Sequence, residues 1–257
     1  MTLVLAHRGA SSFFPENTAE AFRKAIELGA DGIELDVRLT SDCFLAVHHD
    51  PQLRDGRDIS RVLATSLPES VILLPAALDA CGKSFVNIEI KNDVLDQSFI
   101  ENERGLPELL RVIQTCTNHK KRILVSSFDR ACLEIIREFD SEILIGYLFS
   151  DENFDQAIQY CLAMGFNALH PADSLVGQSR VNEAQSEGLA VCVWTVDDEE
   201  RLSELVAMGV DCVITNFPDR GRQVVNNYAM SGQTNRSFFG TQVNFKEETS
   251  PKKSPSS

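Results

Sequence analysis

Residues 28–37 read LGADGIELDV, and the same pattern returns at residues 164–169, MGFNAL, and at residues 208–213, MGVDCV. Each copy places a glycine after an apolar residue, then a short turn with Asp or Asn, and then an apolar run. Glycine suits the left-handed residue that ends an α-helix, and the apolar run is typical of a buried parallel strand. The repeat therefore predicts helices that end in glycine and lead directly into buried strands.

Eight short apolar runs alternate with amphipathic segments, which is typical of parallel βαβ units. We predict strands at residues 3–6, 32–37 together with 44–47, 85–90, 122–126, 143–148, 168–170, 190–194 and 212–215. We predict helices at residues 18–28, 106–115, 130–139, 154–164, 179–187, 199–208 and 219–227, with Asn17 and Glu20 as a capping box before the first. Eight such units favour an α/β protein with a (β/α)8 TIM barrel, which takes about 250 residues. An open doubly wound sheet is the alternative, but the glycine-rich dinucleotide turn of that fold is missing.

The composition changes near the C-terminus, where residues 234–257 are rich in Ser, Lys and Pro and show no sustained periodicity. Such a composition is typical of disorder, because it cannot bury enough apolar surface to offset the entropy of ordering. We therefore expect a barrel over residues 1–230 and a disordered tail over residues 231–257.

The chain has 257 residues and a formal net charge of −14, from 24 Lys and Arg against 38 Asp and Glu. This charge argues against binding to duplex nucleic acid, which needs a basic surface. It does not exclude an anionic substrate, since a bound cation can reverse the field locally. The sequence shows no secretory signal, no membrane-spanning run and no CxxC spacing among its seven cysteines, so we expect a cytoplasmic protein with reduced thiols.

In a barrel of this kind the chemistry lies at the C-terminal ends of the strands. Glu34 and Asp36 lie two residues apart in the second strand and therefore face the same side. Two carboxylates in the mouth of a barrel repel each other unless a cation or a proton intervenes, and Glu89 in the next strand can join them. Three carboxylates suit a hard cation, so we expect one divalent ion, Mg²⁺ or Ca²⁺, with Mn²⁺ as a further candidate.

Histidines follow two of the same strands. His7 follows the first strand and His49 the continuation of the second, and the reference pKa of histidine, about 6.5, suits proton transfer near neutral pH. We expect this pair to act as general acid and general base. Adjacent residues alternate sides on an extended segment, so we assign the neighbouring His48 to the rim or to structure. His170 ends another strand and is a candidate for the pocket lining, whereas we place His119 in a surface turn.

Cations and aromatic residues complete the predicted rim. Arg8 and Lys91 bracket the acids, and they suit a phosphate or a phosphodiester because Arg offers a bidentate fork. The other interpretation is that each merely neutralises the carboxylates. Phe128 and Trp194, the one tryptophan of the chain, are candidates for the walls of a substrate pocket, with a core position as the alternative for both.

With these residues in hand, the sequence resembles the glycerophosphodiester phosphodiesterase family. The order HRG, PENT, ELD, HD and EIK is very specific to that family. The matching segments run from residue 7 to residue 219, and they are HRGASSFFPENTAEAF from His7, GADGIELDVRLTSD from Gly29, AVHHDPQL from Ala46, NIEIK from Asn87, SSFD from Ser126 and VWTVDDEERLSELVAMGVDCVITNFPD from Val193.

The resemblance implies a (β/α)8 barrel with a small insertion after the second barrel strand. It also implies the hydrolysis of a glycerophosphodiester, such as glycerophosphocholine or glycerophosphoethanolamine, to sn-glycerol 3-phosphate and an alcohol. The positions that match the family's functional residues are Glu34, Asp36 and Glu89 for the divalent cation, His7 and His49 for catalysis, and Arg8 and Lys91 for the phosphate.

One segment departs from the family's pattern. After the HD pair the family commonly has Leu-x-Arg-Thr-(Thr/Ser)-x-Gly, but residues 51–58 here read PQLRDGRD. The threonine pair is missing, and the insertion is expected to be reduced. The candidate catalytic set is intact, while the recognition of the glycerol and of the leaving alcohol stays open.

Two other functions remain as alternatives. A phospholipase D-like enzyme could act on lysolipids or sphingolipids, but the related venom enzymes are secreted and disulfide-bonded, and neither feature shows in this sequence. A non-catalytic barrel used as a binding module would be expected to lack a carboxylate or a histidine of the set, and none is missing. We expect a small-molecule glycerophosphodiester as the binding partner, and the sequence leaves the oligomeric state open.

Overall fold

The computed structural model describes residues 1–92, 105–115 and 122–232, and within these ranges strands and helices alternate. The strands are β1 Leu3–His7, β2 Gly32–Leu39, β3 Leu45–Val47, β4 Phe85–Ile90, β5 Ile123–Ser127, β6 Leu144–Phe149, β7 Ala168–Pro171, β8 Ala190–Val193 and β9 Cys212–Thr215. The helices are α1 Ala19–Glu27, α2 Leu74–Cys81, α3 Gly105–Thr115, α4 Arg130–Phe139, α5 Phe154–Met164, α6 Gln178–Ser186, α7 Glu199–Met208 and α8 Pro218–Met230.

Eight of these strands form a closed parallel barrel. The order runs from β1 through β9, β8, β7, β6, β5 and β4 to β2, and β2 pairs with β1 to close the ring. β3 is not part of the ring, since it pairs antiparallel with the end of β2. The prediction of a (β/α)8 barrel is confirmed, and the run at residues 44–47 proves to be a hairpin partner of the second barrel strand.

The repeated glycine motif makes the same turn in each copy. The glycine that ends each helix has a positive φ, as its left-handed position requires, at Gly29 (91°), Gly165 (65°) and Gly209 (82°). Two residues later, an Asp or Asn side chain accepts a hydrogen bond from a backbone amide in the preceding strand. These bonds run from Val4 to Asp31 (2.8 Å), from Ile145 to Asn167 (2.9 Å) and from Val191 to Asp211 (3.0 Å). The motif therefore satisfies an amide at the start of the barrel that would otherwise lack a partner.

The interior of the barrel changes from apolar to polar along its axis. Because residues two apart on a strand face the same side, Leu3 and Leu5 at the start of β1 share a face with His7 at its end. The apolar part is a cluster of buried side chains from all eight barrel strands except β2, namely Leu3, Leu5, Phe85, Leu124, Leu144, Ala168, Ala190, Cys192, Cys212 and Ile214. The polar residues of the interior therefore lie at the C-terminal ends of the strands, where a reaction can take place.

Among the described α-helices, α2 is the one that the sequence analysis did not predict, and it lies in the connection from β2 to β4. Residues 40–73 contain β3 and two short 3-10 turns, Ile59–Arg61 and Ala64–Ser66, and α2 follows. α2 is short, and its buried residues Leu74, Ala77, Leu78 and Cys81 follow helical spacing. No helix among the described residues is long and apolar enough to cross a membrane.

Truncation can test whether the predicted tail contributes to stability or activity. Its residues 233–257 lie outside the described residues, as does His119. Removing residues 233–257 leaves every described strand, helix and rim residue in place. We expect a melting temperature within about 2 °C of the full chain, because changes away from the packed structure cost less than about 0.5 kcal/mol. Activity on glycerophosphocholine should also be unchanged, and a large fall in either quantity would show that the tail docks on the barrel.

Candidate active site

The three carboxylates expected to bind a cation lie together inside the barrel. Asp36 and Glu89 are register partners on β2 and β4, and Glu34 precedes Asp36 on the same face of β2. All three residues are buried, and ligand oxygens from the three carboxylates lie within 4.8 Å of one another. Within the described part of the chain, no other group of three or more His, Cys, Asp or Glu side chains comes this close together.

Burial and mutual repulsion disfavour full ionisation of this carboxylate cluster. Burial raises the pKa of Glu34 well above its ordinary value, and Asp36 and Glu89 raise it further. Burial also raises the pKa of Glu89, although Lys91 acts in the opposite direction. For Asp36, the cations Lys91 and Arg8 outweigh burial and lower the pKa. Full ionisation of all three carboxylates is therefore disfavoured unless a proton or a further cation joins the cluster.

The cluster fits a hard divalent cation. Glu34 Oε1 is buried without a hydrogen-bond partner among the described residues, whereas buried carboxylate oxygens normally have one. Three carboxylates supply the oxygen ligands that Mg²⁺ and Ca²⁺ prefer, and water or substrate oxygens can complete the coordination shell. A cation at this position would also cancel the repulsion among the carboxylates. The cluster is therefore a candidate site for a divalent cation.

Asn17 supports the cluster, and the sequence analysis gave it a different role. The prediction of Asn17 as the helix cap is wrong, because Thr18 occupies the cap and accepts a hydrogen bond from the Ala21 amide at 3.2 Å. Asn17 is buried, donates from Nδ2 to Asp36 Oδ2 at 2.8 Å and accepts from the Asp36 amide at 3.3 Å. Its φ of 58° lies in the left-handed region, which Asn adopts more readily than most residues. The sequence signal for the correct cap was Thr18 directly after Asn17, because Thr can itself cap a helix.

His7 reaches the cluster from the end of β1. Its Nε2 lies 4.0 Å from Glu34 Oε2, and its Nδ1 lies 2.7 Å from Oδ1 of Asn216, the residue after β9. Burial is the main cause that lowers the pKa of His7, and Arg8 lowers it further, so the neutral ring is favoured. An amide oxygen can only accept a hydrogen bond, so the neutral ring carries its proton on Nδ1. Nε2 then presents its lone pair to the interior of the site.

His49 and His48 have different surroundings. His49 lines a cavity beside Glu89, and its Nδ1 lies 2.7 Å from Asp50 Oδ1. His48 is not among the residues that line this cavity, and its Nδ1 donates to the backbone carbonyl of Asp50 at 2.9 Å. Burial and then Lys91 lower the pKa of His49, while its hydrogen bond to Asp50 acts in the opposite direction. Of the two neighbours, His49 is therefore the one that faces the carboxylates and the cavity.

Two predicted cations, Arg8 and Lys91, neutralise the carboxylates and border the site at the same time. Lys91 Nζ contacts Glu89 Oε1 and lies 3.1 Å from Asp36 Oδ1. Arg8 Nε lies 3.2 Å from Asp36 Oδ2, and its Nη1 lies 3.0 Å from Glu16 Oε2. The backbone of Arg8 has a φ of 57°, and its amide donates to Glu34 Oε2 at 3.0 Å. This strained residue thus serves the cluster through both its side chain and its backbone.

Arg38 is a third cation at the site, and the sequence analysis did not single it out. It continues the alternation of Glu34 and Asp36 along β2, and so faces the same side. Arg38 is only 2% exposed, and its Nε donates to the backbone carbonyl of His49 at 2.7 Å. Its side chain therefore anchors the segment that carries His49. The two-residue spacing of charged residues on a buried strand could have revealed it.

The cavity beside the cluster has a volume of about 240 Å³ and is lined by Arg38, His49, Asp50, Pro51, Glu89, Ile90, Lys91, Asn92 and Phe128. Phe128 is 44% exposed and packs edge to face against Trp194, with ring centroids 5.5 Å apart. The indole Nε1 of Trp194 donates to the backbone carbonyl of His170 at 2.7 Å. The two predicted aromatic residues are thus neighbours, and Phe128 is the one in contact with the cavity.

His170 itself lies inside the barrel. It is 1% exposed, and burial lowers its pKa to about 3, so the ring is neutral. Gly146 on the neighbouring strand β6 makes room for the ring, since a Cβ at that position would lie 2.4 Å from His170 Nε2. His170 was a candidate for the pocket lining, and it is not among the residues that line the cavity.

Fold and site together define the class of this protein. It is a (β/α)8 barrel whose strand ends hold buried carboxylates, two histidines and several cations, beside a cavity that His49, Glu89 and Lys91 line. The active sites of barrel enzymes lie at this end. The model of the Glycerophosphoryl diester phosphodiesterase family matches residues 7–67 and 56–220. The chain therefore belongs to the glycerophosphoryl diester phosphodiesterase family, and it is an enzyme of the phosphoric diester hydrolase type.

Individual relatives agree with this assignment. The chain is 31% identical over 239 residues to a glycerophosphodiester phosphodiesterase of Caldanaerobacter subterraneus, and the match covers 85% of this chain and 95% of the relative. A crystal structure from Silicibacter pomeroyi, described as a putative glycerophosphoryl diester phosphodiesterase, has a TM-score of 0.81 at 22% identity over 92% of this chain and 96% of its own. An Oleispira antarctica phosphodiesterase in complex with sn-glycerol-3-phosphate has a TM-score of 0.76 at 22% identity, covering 88% and 97%. At these identities the two structures establish the fold alone.

Proposed function

We propose that this enzyme hydrolyses glycerophosphodiesters to sn-glycerol 3-phosphate and an alcohol, with one divalent cation held by Glu34, Asp36 and Glu89. The observation that carries the proposal is the buried carboxylate cluster with a histidine on either side, His7 at 4.0 Å from Glu34 and His49 in the cavity beside Glu89. The Oleispira antarctica phosphodiesterase, whose structure holds sn-glycerol-3-phosphate, supports a substrate of this class.

The three carboxylates would hold the cation, and Asn17 keeps Asp36 in place through two hydrogen bonds. When bound, such a cation polarises phosphoryl oxygens and lowers the pKa of a nearby hydroxyl. Mg²⁺, Ca²⁺ and Mn²⁺ are the candidates, since all three accept carboxylate oxygens. Activity measured with each ion after chelation would identify the one that this site uses.

The hydrogen bonds of the two histidines favour different roles for them. His7 directs Nδ1 at the neutral amide of Asn216, which leaves Nε2 free to accept a proton. His49 directs Nδ1 at the carboxylate of Asp50, and this hydrogen bond favours the protonated imidazole against the opposing effects of burial and Lys91. We therefore assign His7 as the general base of the first step and His49 as its general acid.

The cations of the site stabilise the charge of the reacting phosphate. Arg8 and Lys91 lie at the carboxylate cluster, and Lys91 also lines the cavity. Asp36 and Glu89 outweigh burial and raise the pKa of Lys91, so its ammonium group stays charged. Fixed cations in a water-poor site stabilise the charge that develops in a phosphoryl transition state more strongly than they would in water.

A glycerophosphodiester carries its own nucleophile, the 2-hydroxyl of the glycerol. In the first step His7 takes the proton of this hydroxyl, the 2-oxygen bonds to phosphorus, and the bond from phosphorus to the alcohol breaks. His49 gives its proton to the departing alcohol oxygen. Water then opens the 2,3-cyclic phosphate of the glycerol while the histidines exchange roles, which returns both to their starting states. Intramolecular attack can lower the barrier by about 7–11 kcal/mol relative to the bimolecular step.

Removal of the 2-hydroxyl tests this course. We expect a 2-deoxy analogue of glycerophosphocholine to bind but to turn over at least about 10³-fold more slowly, because the loss of an intramolecular nucleophile forfeits several kcal/mol. The 1-deoxy analogue keeps the 2-hydroxyl and serves as the control. Phosphorus NMR of the normal reaction should reveal the 2,3-cyclic phosphate as an intermediate. Normal turnover of the 2-deoxy analogue would mean that water attacks the diester directly.

Two substrates, glycerophosphocholine and lysophosphatidylcholine, distinguish the proposed activity from the alternative functions. Release of glycerol 3-phosphate from glycerophosphocholine, without choline release from lysophosphatidylcholine, supports the present proposal over phospholipase D-like action on lysolipids. A binding module without catalysis would release neither product.

We also propose a cytoplasmic location, for which the free thiols of the described cysteines give support. These cysteines are Cys43, Cys81, Cys132, Cys161, Cys192 and Cys212.

A further inference from the structure

The ring of His7 is held by a chain of hydrogen bonds that begins at Asp197. Asp197 lies in the loop between β8 and α7, and Asn216 follows β9. Asp197 Oδ2 accepts from Asn216 Nδ2 at 2.6 Å, and Asp197 Oδ1 accepts from the Asn216 amide at 2.8 Å and from Thr215 Oγ1 at 3.1 Å. Asn216 Oδ1 then faces His7 Nδ1 at 2.7 Å.

These hydrogen bonds determine the orientation of the Asn216 side-chain amide. An ionised carboxylate can only accept hydrogen bonds, so the side-chain NH2 group of Asn216 must face Asp197. The amide oxygen must then face His7, where it also accepts from Ser11 Oγ at 2.7 Å. Because that oxygen cannot donate, His7 must keep its proton on Nδ1.

The other side of the His7 ring does not fix its proton. Glu34 Oε2 lies 4.0 Å from Nε2, beyond hydrogen-bond distance, so it holds no proton on that nitrogen. A neutral His7 with its proton on Nε2 could not accept the proton of the substrate. A fixed acceptor at Nδ1 is therefore needed to keep Nε2 free.

We propose that Asp197 is a positioning residue, which sets the tautomer of His7 by fixing the orientation of the Asn216 amide. The proposal rests on the role of His7 as general base given under the proposed function. Asp197 does not touch the substrate on this view, and it acts entirely through Asn216.

The substitution Asp197→Asn tests the proposal, because it turns one hydrogen-bond acceptor into a donor and leaves the shape unchanged. The Asn216 amide and Thr215 Oγ1 still require an oxygen at the Oδ1 position. The new NH2 group must then face the NH2 group of Asn216, and Asn216 must flip to avoid two opposed donors. The flipped side chain donates to His7 Nδ1 and moves the proton to Nε2.

We expect Asp197→Asn to lower kcat by about 10²-fold or more, the range for a misplaced general base, with a far smaller change in KM. In the full-length protein with labelled histidine, ¹⁵N NMR should show His7 changing from the Nδ1–H to the Nε2–H tautomer, and a His7→Gln sample assigns its signals. Asp42→Asn is the matched control, since Asp42 also accepts from a threonine hydroxyl and a backbone amide, at 2.7 and 2.9 Å, and has no hydrogen bond to a histidine within the described part of the chain.

The exchanged pair Asp197→Asn with Asn216→Asp gives a second readout. A carboxylate at position 216 accepts from both the new NH2 group and His7 Nδ1, so we expect the Nδ1–H tautomer and most of kcat to return. The exchanged pair also tests the proposal if the protein with Asp197→Asn alone does not fold. An unchanged tautomer or kcat in a folded Asp197→Asn variant would overturn the proposal, as would a folded exchanged pair that restores neither. The NMR readout needs no turnover, so a wild-type enzyme inactive on glycerophosphodiesters would refute the proposed function separately.

Discussion

Incubation of the enzyme with EDTA is expected to reduce hydrolysis of glycerophosphocholine by about three orders of magnitude or more, and one of Mg²⁺, Ca²⁺ or Mn²⁺ should restore it. A cation that stabilises phosphoryl charge contributes several kcal/mol to the barrier, and each 1.4 kcal/mol is about tenfold in rate. Release of glycerol 3-phosphate before and after chelation measures the effect. Full activity in a protein shown to be free of metal would contradict the proposed cation site.

Glu34→Gln and Glu89→Gln test the same site through the protein. Each removes one ligand charge, so we expect activity to fall to a level close to that in EDTA even at saturating metal. Since burial raises the pKa of Glu34, its ionised form costs stability near pH 7 in the absence of metal. The metal-free Glu34→Gln protein should therefore melt no lower than the metal-free wild type, which separates lost chemistry from lost fold. Glu204→Gln, which removes an exposed partner of Arg201, is the control.

Metal affinity should depend on pH in a direction that the carboxylates determine. The pKa values of Glu34 and Glu89 are raised, so protons compete with the cation as the pH falls. We expect the apparent Kd of the cation to become weaker from pH 8 toward acidic pH, in a titration followed by calorimetry. An affinity that does not change with pH would argue against binding by these two residues.

His49→Ala is expected to lower kcat by about 10²–10⁴-fold, the usual contribution of a general acid or base. His49 lines the cavity, and Asp50 supports its protonated form through a 2.7 Å hydrogen bond. Without this ring, the departing alcohol would have to leave as an alkoxide. Substrates with a more acidic leaving alcohol, such as a 4-nitrophenyl diester of glycerol phosphate, should therefore lose much less activity in this variant.

His48→Ala is the matched control, because it removes the same side chain one position earlier. His48 donates to the backbone carbonyl of Asp50 at 2.9 Å and is not among the residues that line the cavity. We expect its loss to cost less than about tenfold in kcat, because one hydrogen bond contributes only about 0.5–1.5 kcal/mol to stability. A larger loss for His48→Ala than for His49→Ala would exchange the two assignments.

Much of the barrel and its carboxylate cluster could be predicted because they depend on local patterns. The helix-to-strand turns at Gly29, Gly165 and Gly209 are visible in the sequence as one repeated motif. The alternation of Glu34 and Asp36 along a strand places both carboxylates on one face before any partner strand is known. The chemistry of a barrel lies at the C-terminal ends of its strands, so Glu89 on the next strand is expected to join them there.

Other features of the site depend on contacts between residues that are distant in the chain. Asn17 has the residue type and the place of a helix cap, and only its left-handed backbone turns it toward Asp36 instead. Arg38 has the alternation of its neighbours, but its bond to the His49 carbonyl depends on the turn that follows β3. His170 ends a strand in the expected way, and Gly146 on the neighbouring strand is what allows its ring to fold into the interior.

The sequence by itself thus determined the alternating architecture, the glycine turns and the residues that crowd one rim, because periodicity and residue type act within a single element. The tertiary structure alone decided how those residues are oriented. The bond from Asn216 to His7 spans 209 positions, and it exists because the closure of the barrel brings the ends of β9 and β1 together. Strand register and the direction of a side-chain amide are set by neighbours that no local pattern specifies, and these decide which nitrogen of His7 is free to accept a proton.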